Sequence, residues 1–269
     1  MTPDPTISII FAFVIAFAIA MYVVMDGFDL GIGILFPSFT VGKERDAAMN
    51  AIAPVWDGNE TWLILGGGGL LAAFPLAYAI ILPALYAPLI AMLLGLIFRG
   101  VAFEFRWRDP AHRAFWDGAF FAGSLTATFA QGVALGGLLS GIRVEGRAYA
   151  GGWWDWLSPF SLLTGFSLVA GYALLGACWL VWKTEGGLQE QARRLARVFA
   201  LLTLGFIAVV SAIMPFLMPE FRARWFDFPA ILAALPVPVL VVFLAWRLFR
   251  ALDESGRVAL ARTEPTPVG

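Results

Sequence analysis

Seven apolar stretches, each close to the length of a bilayer-spanning helix, constrain this chain more than any other feature. They cover residues 7–36, 54–74, 77–98, 119–139, 160–182, 198–218 and 226–249. A helix crossing a bilayer needs roughly 20 apolar residues. A chain that is 60% hydrophobic and 14% charged has too few polar side chains to coat seven such helices in water. The pattern predicts an all-α, polytopic transmembrane bundle of about seven spans. Pro75 and Pro83 mark where the second and third stretches must turn, and Pro219 ends the sixth. Pro236 and Pro238 should kink or displace the seventh, since each removes a helical hydrogen bond. The first stretch is too long for a cleaved leader and no basic segment precedes it, so it reads as the first span. The expected organisation is a first four-helix bundle over 1–140, a second half of three spans over 141–252, and a polar cytoplasmic tail over 253–269.

Several classes of function are excluded by what the chain lacks. Its net charge is −1 with no basic patch, so nucleic acid is not an expected partner. One cysteine, Cys178, rules out a disulfide framework or a thiolate metal site. One histidine, His112, sits in a polar loop among Arg106, Arg108 and Arg113. Haems with paired imidazole ligands cannot be built from that inventory, and no metal ligand is expected in this chain.

Lys and Arg set the orientation, because cytoplasmic loops carry them in excess. Lys43, Arg45, Arg106, Arg108, Arg113, Lys183, Arg193, Arg194, Arg197, Arg247, Arg250, Arg257 and Arg262 fall on one side, and Arg143, Arg147, Arg222 and Arg224 on the other. The amino terminus is therefore expected outside and the carboxyl terminus in the cytoplasm.

That topology gathers the unusual charges. Asp26 and Asp29 fall at the cytoplasmic end of span one, and Asp57 and Glu60 at the start of span two. Arg99 and Glu104 close span three, and Asp117 opens span four. A charge at the centre of a span costs about 3 kcal/mol on insertion scales, so it is seldom idle. Helix ends near headgroups do tolerate charge, and the dipole favours Asp57 and Asp117 at helix starts. Asp57 is expected to lie deepest, within the dense polar motif 56–62, and to act as the first proton-relay carboxylate. Asp29 is the second candidate, with Asp26 nearer the surface and Glu60 either in the relay or in a cross-bundle hydrogen bond. Arg99 should be held by Glu104, Asp29 or Asp57. Gly27 with Gly31, Gly132 with Gly136, and the run 66–69 read as close helix packing.

Several long motifs then occur in order. Residues 26–33 (Asp-Gly-Phe-Asp-Leu-Gly-Ile-Gly), 50–64 (through Trp56-Asp57-Gly58-Asn59-Glu60-Thr61-Trp62), 72–78 and 98–106 resemble subunit II of the cytochrome bd quinol oxidases. Trp116-Asp117 with Gly123-Ser124, and Trp179-Leu180 with Lys183-Thr184, fit the same family. The resemblance covers the chain to about residue 185, and beyond it only hydropathy agrees. The family usually has eight or nine spans, so this chain reads as a short or truncated member.

The resemblance implies a bacterial plasma-membrane complex that oxidises quinol and reduces dioxygen to water. It implies b-type and d-type haems in a partner, subunit I, with this chain inactive alone. Subunit II would support that partner and move protons from the cytoplasm, with room for a bound quinone and a small accessory subunit, and Trp56 and Trp62 would pack against lipid, a quinone tail or subunit I. Membrane lipids are the remaining expected contacts. The alternative from another class is a proton- or cation-coupled secondary transporter, which calls for broken helices in matched repeats.

Overall fold

A computed structural model describes residues 5–263, with the side chains of 219, 220, 224 and 255–263 outside the description. Helix α1 (Pro5–Leu35) begins with a half that packs on little: Ile7, Ile10, Phe13 and Phe17 are exposed, as lipid-facing residues are. From Asp26 onward it is enclosed almost completely. A short turn and α2 (Lys43–Asn50) lead to α3 (Trp56–Ala73). Helix α3 runs back along α1: Asn59 meets Asp29, while β-carbons built at Gly66 and Gly69 would touch Ile19 and Ile15.

The expected third span, 77–98, is displaced. Residues 75–84 form the separate helix α4 (Pro75–Ala84), and the chain breaks at Leu85 before α5 (Tyr86–Arg108). Pro88 falls in the first turn of α5, where its missing N–H costs nothing. The shift moves Arg99 from the end of a span into the body of a helix and brings Arg106, expected in the following loop, into the last turn of α5. Helix α6 (Arg113–Leu139) likewise starts before the expected 119, so Asp117 lies on it. A two-strand hairpin, β1 (Val144–Glu145) and β2 (Ala148–Tyr149), connects to α7 (Pro159–Lys183). Ser158 and Ser161 form a reciprocal cap at the start of α7.

Helix α8 (Gly186–Leu217) begins twelve residues before the expected 198, so Arg193, Arg194 and Arg197 are helical rather than in a loop. After α9 (Pro219–Phe226) and α10 (Ala230–Ala234), the expected disruption at Pro236 is a helix start, because α11 (Pro236–Thr263) begins there. The expected polar tail is helical as far as Thr263, and residues 264–269 lie outside the description. Among the described residues, six helices are long and apolar enough to span a membrane. The second expected span, 54–74, corresponds to α3 and falls short of that measure because Asp57, Asn59 and Glu60 dilute its first turns.

The tightest packing joins α1, α5, α6, α7 and α8, with Ala48 and Met49 of α2 in the same core. Glycines set the spacing. A β-carbon at Gly95 would lie 2.7 Å from the Gly123 carbonyl oxygen, and one at Gly123 2.6 Å from that of Gly95. One at Gly31 would run into the Tyr172 carbonyl. Backbones this close exclude any larger side chain, which is how small residues bind helices where no hydrophobic drive operates.

Candidate functional site

The buried half of α1 carries two carboxylates. Asp26 and Asp29 are each 0% exposed, which corrects the expected order of depth: Asp26 is not nearer the surface than Asp29. Asn59 of α3, itself buried, donates from Nδ2 to Asp29 Oδ2 at 2.7 Å and to the Met25 carbonyl at 3.3 Å. From α5, Arg99 enters the same space with no exposed surface. Its Nη1 lies 2.8 Å from Glu60 Oε1 and 3.8 Å from Asp26 Oδ1. Its guanidinium carbon is 5.6 Å from the centre of the Trp56 ring. Asp26 Oδ1 and Oδ2, Asp29 Oδ1, and Arg99 Nε and Nη2 are buried with no hydrogen-bond partner among the described residues.

The charge balance decides what this cluster can do. Asp26, Asp29 and Glu60 surround one guanidinium, and isolated charges at this depth are costly. Three ionised carboxyls against a single Arg99 would leave a net charge of −2, so neutrality requires two of them to carry protons. A buried group of acids that shares protons around one fixed cation can load and release them. Glu60, whose side chain is 28% exposed, is where the cluster opens outward.

Helical phase explains the residues that the sequence misplaced. On α3, Trp56, Asn59, Leu63 and Gly66 share the stripe facing α1 and α5, and Asp57 points away from it. Asp57 is exposed and forms no ion pair among the described residues, which corrects its placement as the deepest acid. Glu104 lies five residues past Arg99, on another face of α5. It is exposed and sits 3.5 Å from Arg108, so it is not Arg99's partner. Trp56 packs on Phe103, with ring centres 4.8 Å apart, and Trp62 meets Phe17 edge-on at 5.9 Å.

A second ionic group was not legible as such. Arg106 is buried two turns along α5 from Arg99, on the same face. Its Nε donates to Asp117 Oδ1, and Arg45 Nη1 donates to Asp117 Oδ2 at 2.8 Å. Asp46 Oδ1 forms an ion pair with Arg106 Nη1 at 2.9 Å and accepts a hydrogen bond from Arg113 Nη2. These pairs fasten α2 to α5 and α6. Phe36, Phe120 and Phe103 pack in that order between the two groups, edge-on and then tilted, with successive ring centres 5.0 and 6.2 Å apart. Arg106, weighed from sequence as a charge at a helix end, shares its face with Arg99, and that seven-residue spacing is the signal that could have found it.

Among the described residues, no three His, Cys, Asp or Glu side chains form a group that could hold a metal ion. His112, the sole imidazole, is exposed and bonds to Asp109 at 2.9 Å. Its one histidine being exposed, the chain offers no buried imidazole to a haem.

Comparison with known proteins places this arrangement. The family model for cytochrome bd terminal oxidase subunit II matches residues 7–263. The chain is 37% identical over 200 residues to a cytochrome bd-I ubiquinol oxidase subunit 2 from Escherichia coli, covering 71% of this chain and 52% of that protein. It is 37% identical over 199 residues to a probable cytochrome oxidase subunit 2 from Haemophilus influenzae, at 70% and 52% coverage. It is 34% identical over 194 residues to a cytochrome bd ubiquinol oxidase subunit 2 from Bacillus subtilis, at 70% and 56% coverage. The chain thus spans about half the length of the curated relatives it matches. In fold it resembles a chain of the bd oxidase from Geobacillus thermodenitrificans, with a TM-score of 0.71 at 20% identity over 90% of this chain and 76% of that one. The chain belongs to the cytochrome bd terminal oxidase subunit II family.

Proposed function

We propose that this chain is the haem-poor subunit of a membrane quinol:dioxygen oxidoreductase in the bacterial plasma membrane, and that its buried acids take up protons from the cytoplasm. The observation that carries the proton role is the set of three carboxyls around Arg99, with Glu60 as their opening. The amino terminus lies outside, as the distribution of Lys and Arg requires. The haems and most of the quinol site belong to a larger partner, subunit I, and neither subunit turns over alone. Reduction of one dioxygen to two waters consumes four electrons and four protons. In this reading the protons come from the cytoplasm, and those from quinol leave outside, so a proton-motive force develops without pumping.

Within this chain the path has an order. Asp57, exposed at the start of α3, passes a proton to Glu60 three residues on and across one helical face. From Glu60 the proton moves past Arg99 to Asp26 or Asp29, which are oriented by Arg99 and Asn59. Arg99 keeps its charge throughout and lowers the cost of whichever carboxylate is ionised. The Arg106–Asp117 group stands behind the phenylalanines and is not on this route. The acids cluster at one end of the bundle, not at matched helix breaks, which favours this reading over a secondary transporter.

Two experiments test it. The tagged chain, purified from its own membranes, should bring down a larger subunit and show a haem d band in a reduced-minus-oxidised spectrum. A colourless preparation without a partner would refute the oxidase reading. Asp57→Asn should leave the amount of assembled complex unchanged and slow oxygen consumption by about tenfold, less than the roughly 100-fold or more of a buried proton-transfer group because water can stand in at an exposed site. Normal turnover per assembled Asp57→Asn complex would remove Asp57 from the path.

A further inference from the structure

A hydrogen-bonded chain of neutral side chains crosses the core beside the acids. Tyr172 of α7 donates its hydroxyl hydrogen to Gln131 Oε1 at 2.9 Å. Gln131 of α6 donates from Nε2 to the Tyr22 hydroxyl oxygen at 2.6 Å. Tyr22 and Tyr172 are 4% and 1% exposed, and Tyr22 precedes Asp26 by one turn of α1. We propose that Tyr22, held by Gln131 and Tyr172, is a positioning residue that presents its hydroxyl hydrogen to the Asp26 carboxylate.

The donor order carries the argument. With its oxygen engaged by the Gln131 amide, Tyr22 has one hydrogen to give. The carboxylate one turn on, whose oxygens lack a hydrogen bond among the described residues, shares its face. The chain is not itself a proton path. Tyr172 packs among Leu30, Met92, Leu96, Ala127 and Ala130, and the Gln131 amide between the two tyrosines does not relay a proton without changing its bonding. What three helices can do together is fix the direction of one O–H, and a bond from a neutral donor to a carboxylate is stronger than one between neutral groups.

The groups facing Asp26 are Arg99 from α5, Glu60 from α3, Tyr172 from α7, and Asp29 and Tyr22 on α1 itself. Removing the Tyr22 hydroxyl alters the Asp26 environment and leaves those charges in place.

This inference rests on the relay reading, and the test separates the two. In the purified complex, Tyr22→Phe should lower turnover by roughly tenfold, the size of one charge-assisted hydrogen bond lost. It should also displace the pH dependence of turnover by about one unit. Gln131→Leu, which keeps the tyrosine but frees it to rotate, should displace it in the same sense by less. A purely structural role would reduce the yield or melting temperature of the complex and leave the pH dependence where it is. That outcome in Tyr22→Phe, or in Gln131→Leu if the first variant does not assemble, overturns the proposal. Normal turnover in assembled Asp26→Asn would instead overturn the relay reading on which it rests.

Discussion

Arg99→Leu is expected to remove most of the assembled complex from membranes, the largest stability effect of any single change in this chain. The guanidinium is fully buried against Asp26, which is also fully buried, so its loss strands a carboxylate in the core. Breaking a buried pair from one side costs about 3–5 kcal/mol, against a total stability of about 5–15 kcal/mol. The Arg99–Glu60 contact adds less, because Glu60 reaches solvent and is screened. The physical cause gives a rescue: adding Asp26→Asn and Glu60→Gln to Arg99→Leu should recover much of the complex, since no unpaired charge then remains around the gap. Immunoblots of membranes and the melting temperature of the solubilised complex are the measurements. Wild-type accumulation and melting of Arg99→Leu would mean that this cation does not hold the acids.

Much of the architecture is written in the hydropathy of the chain, because a bilayer leaves few ways to satisfy a backbone. The apolar stretches near residues 7–36, 119–139 and 160–182 coincide with α1, α6 and α7, since nothing in them competes with the helix. The third span went astray where proline chemistry decides. Pro75, Pro83 and Pro88 divide one apolar run into α4 and α5, and hydropathy cannot say which side of Leu85 belongs to the span. The close approaches at Gly31, Gly132 and Gly136 were legible as glycine spacing.

The acids were legible as a group but not in their depth. Depth depends on helical phase relative to neighbours that only the fold supplies. Asn59 rather than Asp57 faces α1, and Arg99 rather than Arg106 meets Asp26. Gln131 joining Tyr22 to Tyr172 had no signal at all, because the three lie on three helices and only packing brings them together.

Asp26→Asn and Asp29→Asn carry the largest expected effect on activity. Each substitution keeps size and shape and removes the proton-binding oxygen. At Asp29 the new amide oxygen can still accept from Asn59, so the bundle should assemble. Turnover per assembled complex should fall about 10- to 100-fold in each variant, with affinity for quinol unchanged, because positioned proton transfer contributes at least that much. The double variant should be no slower than the worse single one if both acids serve one route, and slower than either if they serve two.

The most direct measurement is proton uptake itself. Purified complex, reduced and then exposed to oxygen in weakly buffered solution with a pH-indicating dye, reports uptake and haem oxidation in the same trace. The wild type should take up protons with oxygen reduction, and the Asp26→Asn, Asp29→Asn double variant should show uptake slowed at least about tenfold, with its first electron transfer intact. Proton uptake at the wild-type rate in that double variant would contradict the account, leaving the cluster around Arg99 as a structural ion group and the protons to another path.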